Sequence, residues 1–168
     1  DNDGKKIADW HLTLAEVLKE QGYKTGAIVA SYVLNARFGL NQGFETYNVF
    51  TDRSKGEIFT NGRRASETAQ LANPWFHENK DDKFFLFAHF YDPHFPYIPS
   101  EPFDTQFEDP YDGEIASVDH AIGQMFDKLK ELDLYDNTLI MIFADHGELL
   151  GQHGEAGHGY YIYEGAVK

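Results

Sequence analysis

Two adjacent residues, Asp145 and His146, offer a carboxylate oxygen and an imidazole nitrogen on a tight turn marked by Gly147. Such a pair suits half of a divalent-metal site. Neighbours along a strand point to opposite faces, but where the chain turns at a strand end they can converge. Asp145 as a cap of the following turn, with His146 a solvated loop residue, is an equally open reading. Further on, Gly151-Gln152-His153-Gly154 and Gly157-His158-Gly159 flank two histidines with glycine, which lets a backbone approach a ligand closely. His158 precedes an aromatic run from Tyr160 to Tyr163 that would hold it. It fits a hydrogen-bond donor to an anionic ester, or a general acid. His153 reads as an ordinary loop residue. His94 sits in Asp92-Pro93-His94-Phe95-Pro96-Tyr97, a turn stiffened by two prolines. A rigid histidine there suits anion binding or proton transfer, against the competing reading of a plain surface residue. His89 reads as a satisfied core histidine, and His11, His77 and His120 as surface residues.

Other chemistries find little support. The chain has no Cys, so disulfides, thiolate zinc sites and a thiol nucleophile are excluded within it. His146-Gly147-Glu148 is followed by His153, the wrong spacing for a His-Glu-x-x-His zinc helix. No Gly-x-Ser-x-Gly elbow and no P-loop occur. Asp81-Asp82 and Glu108-Asp109 read as solvated acid pairs, so a glycosidase has no specific support. With 14 Lys plus Arg against 28 Asp plus Glu, the formal charge is −14, which argues against nucleic acid as a partner. No apolar run approaches the roughly 18 residues of a membrane helix. The 168 residues, 42% of them apolar and 25% charged, suit one globular domain.

The elements that must position these residues follow from period and punctuation. Thr13-Leu14-Ala15-Glu16 is a capping box, Leu14, Val17 and Leu18 recur at helical spacing, and Gly22 supplies a stop, predicting a helix over 14–21. Residues 25–30 read as a buried strand. Residues 31–65 read as loop with short elements. Ser66 is the expected cap of a helix reaching about residue 79, with a kink or restart at Pro74. The apolar run 84–90 predicts a buried strand, and the prolines at 93, 96, 99 and 102 exclude regular structure after it. A helix fits 111–132, with Ile115, Val118, Ile122, Met125, Phe126 and Leu129 on one face. Asp136-Asn137 is a turn, and 138–143 is the clearest strand. Alternation of this kind predicts an α/β fold with a parallel sheet and crossover helices, and no linker divides the chain. Loops 31–40, 91–100 and 144–159 would then emerge at one sheet edge, where such folds bind ligands.

Several of these stretches occur in an order and spacing that carry a resemblance. They are the strand 84–90 running into Asp92-Pro93-His94-Phe95-Pro96-Tyr97, then Tyr111-Asp112-Gly113-Glu114-Ile115 with Val118-Asp119 and Ile122-Gly123. Leu134-Tyr135-Asp136-Asn137-Thr138 then leads into Ala144-Asp145-His146-Gly147-Glu148, and the two glycine-flanked histidine motifs follow, with Tyr163-Glu164. Together they resemble the sulfatase family of the alkaline phosphatase superfamily. Thr13 to Leu18, Gly22 to Thr25 and Gly39 to Phe44 fit as well, the likeness being weakest over 45–80.

The resemblance implies a partial sulfatase-like catalytic domain over 1–168 with a parallel-type sheet. It implies that Asp145 and His146 bind metal, that His94 contacts the sulfate or phosphate group, and that His158 stands where many sulfatases place a substrate-contacting lysine. The implied cofactor is a divalent ion, calcium first, with manganese, magnesium and zinc left open by His146. The family's nucleophile is a formylglycine made in a Cys/Ser-x-Pro/Ala-x-Arg motif, or Ser/Thr in phosphoesterase relatives. The nearest stretch here, Ser100-Glu101-Pro102-Phe103-Asp104, lacks the Arg. The nucleophile and the first metal carboxylates are therefore expected outside this chain, both of whose ends read as cut from something longer. Ser31 and Val33 also stand where many sulfatases have Lys and His. The expected activity is metal-dependent hydrolysis of a small-molecule or carbohydrate sulfate ester by the parent protein, this chain alone being inactive. A phosphodiester or phosphonate hydrolase, a phospholipid-headgroup transferase and a non-catalytic binding module are the alternatives. A periplasmic or extracellular location is implied by the family alone.

Overall fold

The computed structural model describes residues 6–50, 62–154, 156–157 and 163–167. They fall into two compact units, Asp1–Asp136 and Asn137–Lys168.

The first unit is built on a parallel sheet in the order β2-β1-β3, with β1 at Lys24–Ile28, β2 at Thr46–Asn48 and β3 at Phe84–Ala88. This is the α/β architecture expected from the alternation of elements. β1 lies in the middle and is buried from Thr25 onward, whereas β3, which among the described residues pairs with β1 alone, is half-buried along its length. The short β2 lies in the stretch read as irregular, its three residues being too few to show a period.

Helix α1 (Leu14–Glu20) opens on the expected capping box: Glu16 N–H donates to Thr13 Oγ1 at 3.2 Å, and Thr13 N–H donates to Glu16 Oε2 at 2.8 Å. Gly22, at φ +82°, ends it in the left-handed region where a side chain is strained. Phe44 stacks on Phe85 across the sheet face that carries Thr25, and Thr13 Oγ1 donates to the carbonyl of Gln42 at 3.1 Å, which ties α1 to this side.

Helix α2 (Ala65–Glu78) covers the other face. Its Trp75 lies where a Cβ on Gly26 would be, 2.6 Å from the ring, and donates from Nε1 to Thr46 Oγ1 at 2.9 Å. Position 26 of β1 therefore has to be glycine for the helix to sit this close. Two expectations change here. Ser66 is not the cap; the helix begins one residue earlier, and the carboxylate that takes its first N–H comes from elsewhere in the chain, Asp92 Oδ2, 2.7 Å from Ala65 N. Of the kink or restart expected at Pro74, the restart does not occur: the helix runs on to Glu78, with Trp75 and Phe76 anchored against Phe84 of the sheet.

Helix α3 (Pro110–Glu131) starts at Asp109, whose Oδ1 accepts the N–H of Tyr111 at 2.9 Å, so this acid of the pair is a cap. It packs on α2. The buried stripe is Gly113, Glu114, Ser117, Ala121, Met125 and Leu129; of the expected apolar face only Met125 and Leu129 are in it, and Ile115 is exposed. Close approach of two helices selects small residues at the contact line, such as Gly113, Ser117 and Ala121 of α3, and moves the larger apolar side chains to the flanks.

The second unit contains β4 (Leu149–Leu150) and β5 (Ala156–Gly157), an antiparallel pair, and α4 (Glu164–Val167). The expected strand 138–143 is absent: these residues have no regular structure, with Leu139 87% and Phe143 73% exposed. Apolar patterning specifies a buried environment, but a strand also needs a hydrogen-bonded neighbour. Among the described residues no ladder reaches this run. Of the three expected loops, those after β1 and β3 leave one sheet edge together.

Candidate functional site

His94 is presented by the loop that leaves the carboxyl end of β3. That edge is closed by hydrogen bonds from His89 N to the carbonyl of Ile28 at 2.9 Å and from Arg63 N to that of Ala30 at 2.8 Å. His89 itself accepts the N–H of Ala30 on Nδ1 at 3.3 Å, a satisfied histidine as expected, though half-buried. His11, His77 and His120 are exposed, also as expected.

The His94 ring is held from several sides. It stacks on Tyr91 with centroids 4.2 Å apart, and Tyr91 in turn lies against the backbone of Gly62, where a Cβ would meet the ring at 2.1 Å. Nδ1 is 2.7 Å from the carbonyl of Phe95; a carbonyl only accepts, so Nδ1 carries the hydrogen. Nε2 is 3.4 Å from the Tyr91 hydroxyl. Burial first, then the charges of Asp92 and Glu114, push the Tyr91 phenol up to about 12, so it stays protonated and donates.

Beneath the loop lies an ionic cluster of two buried carboxylates, Asp92 and Glu114, and the half-exposed Arg64. Glu114, 2% exposed on the inner stripe of α3, accepts the main-chain N–H of His94 at 3.1 Å and of Ile98 at 2.8 Å. Arg64 Nη1 approaches Glu114 Oε1 at 3.6 Å and Asp92 Oδ1 at 3.7 Å, and donates to the carbonyl of Ile98. Burial raises the pKa of both carboxyls; the hydrogen bonds they accept and the Arg64 charge work in the opposite direction. The sequence signal for this cluster is a glutamate in register with Ser117, Ala121 and Met125 on the inward face of a helix. Arg64 and Asp92 carry no such local signal.

Asp145 and His146 lie in the second unit and do converge: Asp145 Oδ1 is 3.7 Å from His146 Nε2. The ring is oriented by its other nitrogen, Nδ1, which donates to the carbonyl of Gly147 at 2.8 Å and so leaves the lone pair on Nε2. Asp145 is 81% and His146 40% exposed. Among the described residues no group of three or more His, Cys, Asp or Glu gathers around one point. A divalent ion takes about four or more ligands, so the pair fits part of a ligand set. His153 stacks on Tyr163 with centroids 4.3 Å apart, and His158 lies outside the described residues.

This parallel sheet with helices on both faces is an alkaline phosphatase-like fold. A solved structure of an alkaline phosphatase superfamily protein from Vibrio parahaemolyticus matches at TM-score 0.55 and 26% identity, over 71% of this chain and 32% of that one. A second, of a protein solved with its substrate D-glucosamine-2-N,6-O-disulfate, matches at TM-score 0.75 and 15% identity, over 98% of this chain and 55% of that one. The family model for sulfatases matches residues 1–166, and the chain belongs to the sulfatase family. An arylsulfatase of Hemicentrotus pulcherrimus is 25% identical over 173 aligned positions, covering 81% of this chain and 31% of that protein. The chain thus spans about a third of the length of this relative.

Proposed function

We propose that this chain is part of a longer enzyme that hydrolyses a small-molecule or carbohydrate sulfate ester with the help of a divalent metal. The family match over residues 1–166 carries this reading. Asp145 and His146 would hold the ion, calcium first, with manganese, magnesium or zinc compatible with an imidazole donor. When bound, such an ion supplies polarisation of the ester and neutralises developing charge. His94 holds an oxygen of the transferred group or moves a proton at Nε2, which Tyr91 hydroxyl reaches in the free site. His158 is assigned to the same group. The nucleophile comes from residues outside these 168, so the chain alone is expected to be inactive. A periplasmic or extracellular location belongs to the same proposal and rests on the family.

The experiment is an assay of the full-length protein on para-nitrophenyl sulfate, para-nitrophenyl phosphate and bis(para-nitrophenyl) phosphate, after chelation and again with calcium restored. Calcium-dependent turnover of the sulfate is the expected result. Preference for the phosphodiester would replace this reading by a phosphodiesterase. Failure on all three esters, with metal present, would favour a binding module.

A further inference from the structure

We propose that Glu114 is the positioning residue for His94: its carboxylate clamps both ends of the turn 94–98 and thereby sets where the imidazole stands. The inference rests on the assignment of His94 to the transferred group and adds the device that aims it.

The geometry is specific. One oxygen of Glu114 takes the N–H of His94 and the other that of Ile98, at 3.1 and 2.8 Å, so each carboxylate oxygen is engaged by a main-chain donor. A carboxylate that accepts two N–H groups four residues apart fixes the separation and orientation of those two peptides. The loop has no ladder of its own to do this, because Pro93, Pro96 and Pro99 remove donors from it. The opposite side of the turn is tied by Arg64, which donates to the Ile98 carbonyl and lies between Glu114 and Asp92. Asp92 completes the frame by taking the first N–H of α2 at Ala65. The start of α2, the loop after β3 and the first turns of α3 therefore meet at one charge network, whose two carboxylates are buried and whose Arg64 is half-exposed. Burying carboxylates in this way contributes little net stability compared with well-packed apolar residues. What it provides is a defined geometry, and the element it defines is the one that carries His94.

The test is a double-mutant cycle in the full-length protein with para-nitrophenyl sulfate as the probe. Glu114→Gln keeps size but presents an NH2 to one of the two donors. It is expected to lower kcat on the order of 10²-fold, the cost of a misplacement of about an ångström, with little change in KM. Glu114→Asp keeps the charge beside Arg64 but withdraws the carboxylate by one methylene, and is expected to give a similar loss. Rescue by Asp would mean that the charge, not the clamp, matters, and would overturn the proposal. Adding Glu114→Gln to His94→Ala is expected to change kcat by less than about twofold, because the two residues act as one unit. Equal losses with and without His94 would overturn the proposal. Unchanged turnover in His94→Ala alone would instead overturn the assignment on which it rests. The clamp also has a readout that needs no turnover. In Glu114→Gln the His94 and Ile98 amides are expected to exchange hydrogen at least about tenfold faster while those of mid-α3 stay protected. Unchanged exchange at both amides would equally overturn the proposal.

Discussion

The carboxylate of Glu114 accepts the main-chain N–H of His94 at 3.1 Å, joining α3 to a loop residue 20 positions earlier in the chain. A charged group on the inner stripe of a helix is normally a cost. Here it is matched by two peptide donors and by Arg64, and it holds in place a histidine that the sequence motif alone could place only on a surface loop.

Burial raises the folded-state pKa of Glu114, whose carboxyl faces Arg64, Asp92 and the amides of His94 and Ile98. A raised carboxyl binds more protons in the folded than in the unfolded state. Its stabilising share is therefore full below the ordinary carboxylate range and is lost as pH rises through the raised value. Glu114→Gln has no such dependence. Its deficit in melting temperature relative to wild type is expected to be largest near pH 4 and to shrink toward neutrality. Paired thermal melts of the full-length proteins from pH 4 to 8 check this, and a deficit that grows with pH would contradict it.

His94→Ala is expected to lower kcat of the full-length enzyme by on the order of 10²- to 10⁴-fold, the range for loss of a positioned acid or base. The fold should be kept, because His94 hangs from the loop by its backbone rather than through core packing. Steady-state kinetics with a circular dichroism control measures both. A wild-type rate would remove His94 from the site.

Asp145→Ala and His146→Ala are each expected to weaken calcium binding by at least about tenfold, since on the proposed assignment each removes one of two donors held 3.7 Å apart. Isothermal titration of the full-length protein after chelation reads this directly. Wild-type affinity in both variants would refute the metal assignment.

Gly26→Ala tests the packing of α2 on the sheet. The added Cβ would sit 2.6 Å from the Trp75 ring, which its own hydrogen bond to Thr46 keeps from swinging away. A cost of about 1–3 kcal/mol is expected from the overpacking. Urea unfolding of the full-length variant checks it, and an unchanged midpoint would show that the helix can shift.

Much of the fold was legible in local patterns, and its exceptions share a cause. The capping box of α1, the central strand and the span of α3 depend on residues close in sequence. The N-terminus of α2 departs from its local pattern because its capping carboxylate, Asp92, lies 27 residues away. The inward face of α3 departs from its apolar periodicity because hydropathy ranks Ile115 above Ser117, whereas close helix packing selects for size. Run 138–143 reads as a strand by composition, but a strand is a property of two segments. In the candidate site, the ring chemistry of His94 and the adjacency of Asp145 and His146 were visible as residue types. The clamp behind His94 was not, because a glutamate in a helix gives no sign of which way its carboxylate is turned.

The sequence by itself determined the alternation of helices and strands, the acidic charge, the absence of thiols and the motifs that mark the family. Each of these is written in residue type and short-range spacing. Tertiary structure alone decided that Arg64 meets the buried carboxylates of Asp92 and Glu114, that Gly26 makes room for Trp75, and that the His94 turn is pinned at both ends. These depend on atoms from segments far apart in the chain, brought together by burial of the helix faces, and the strength of each interaction is set by the loss of water around it.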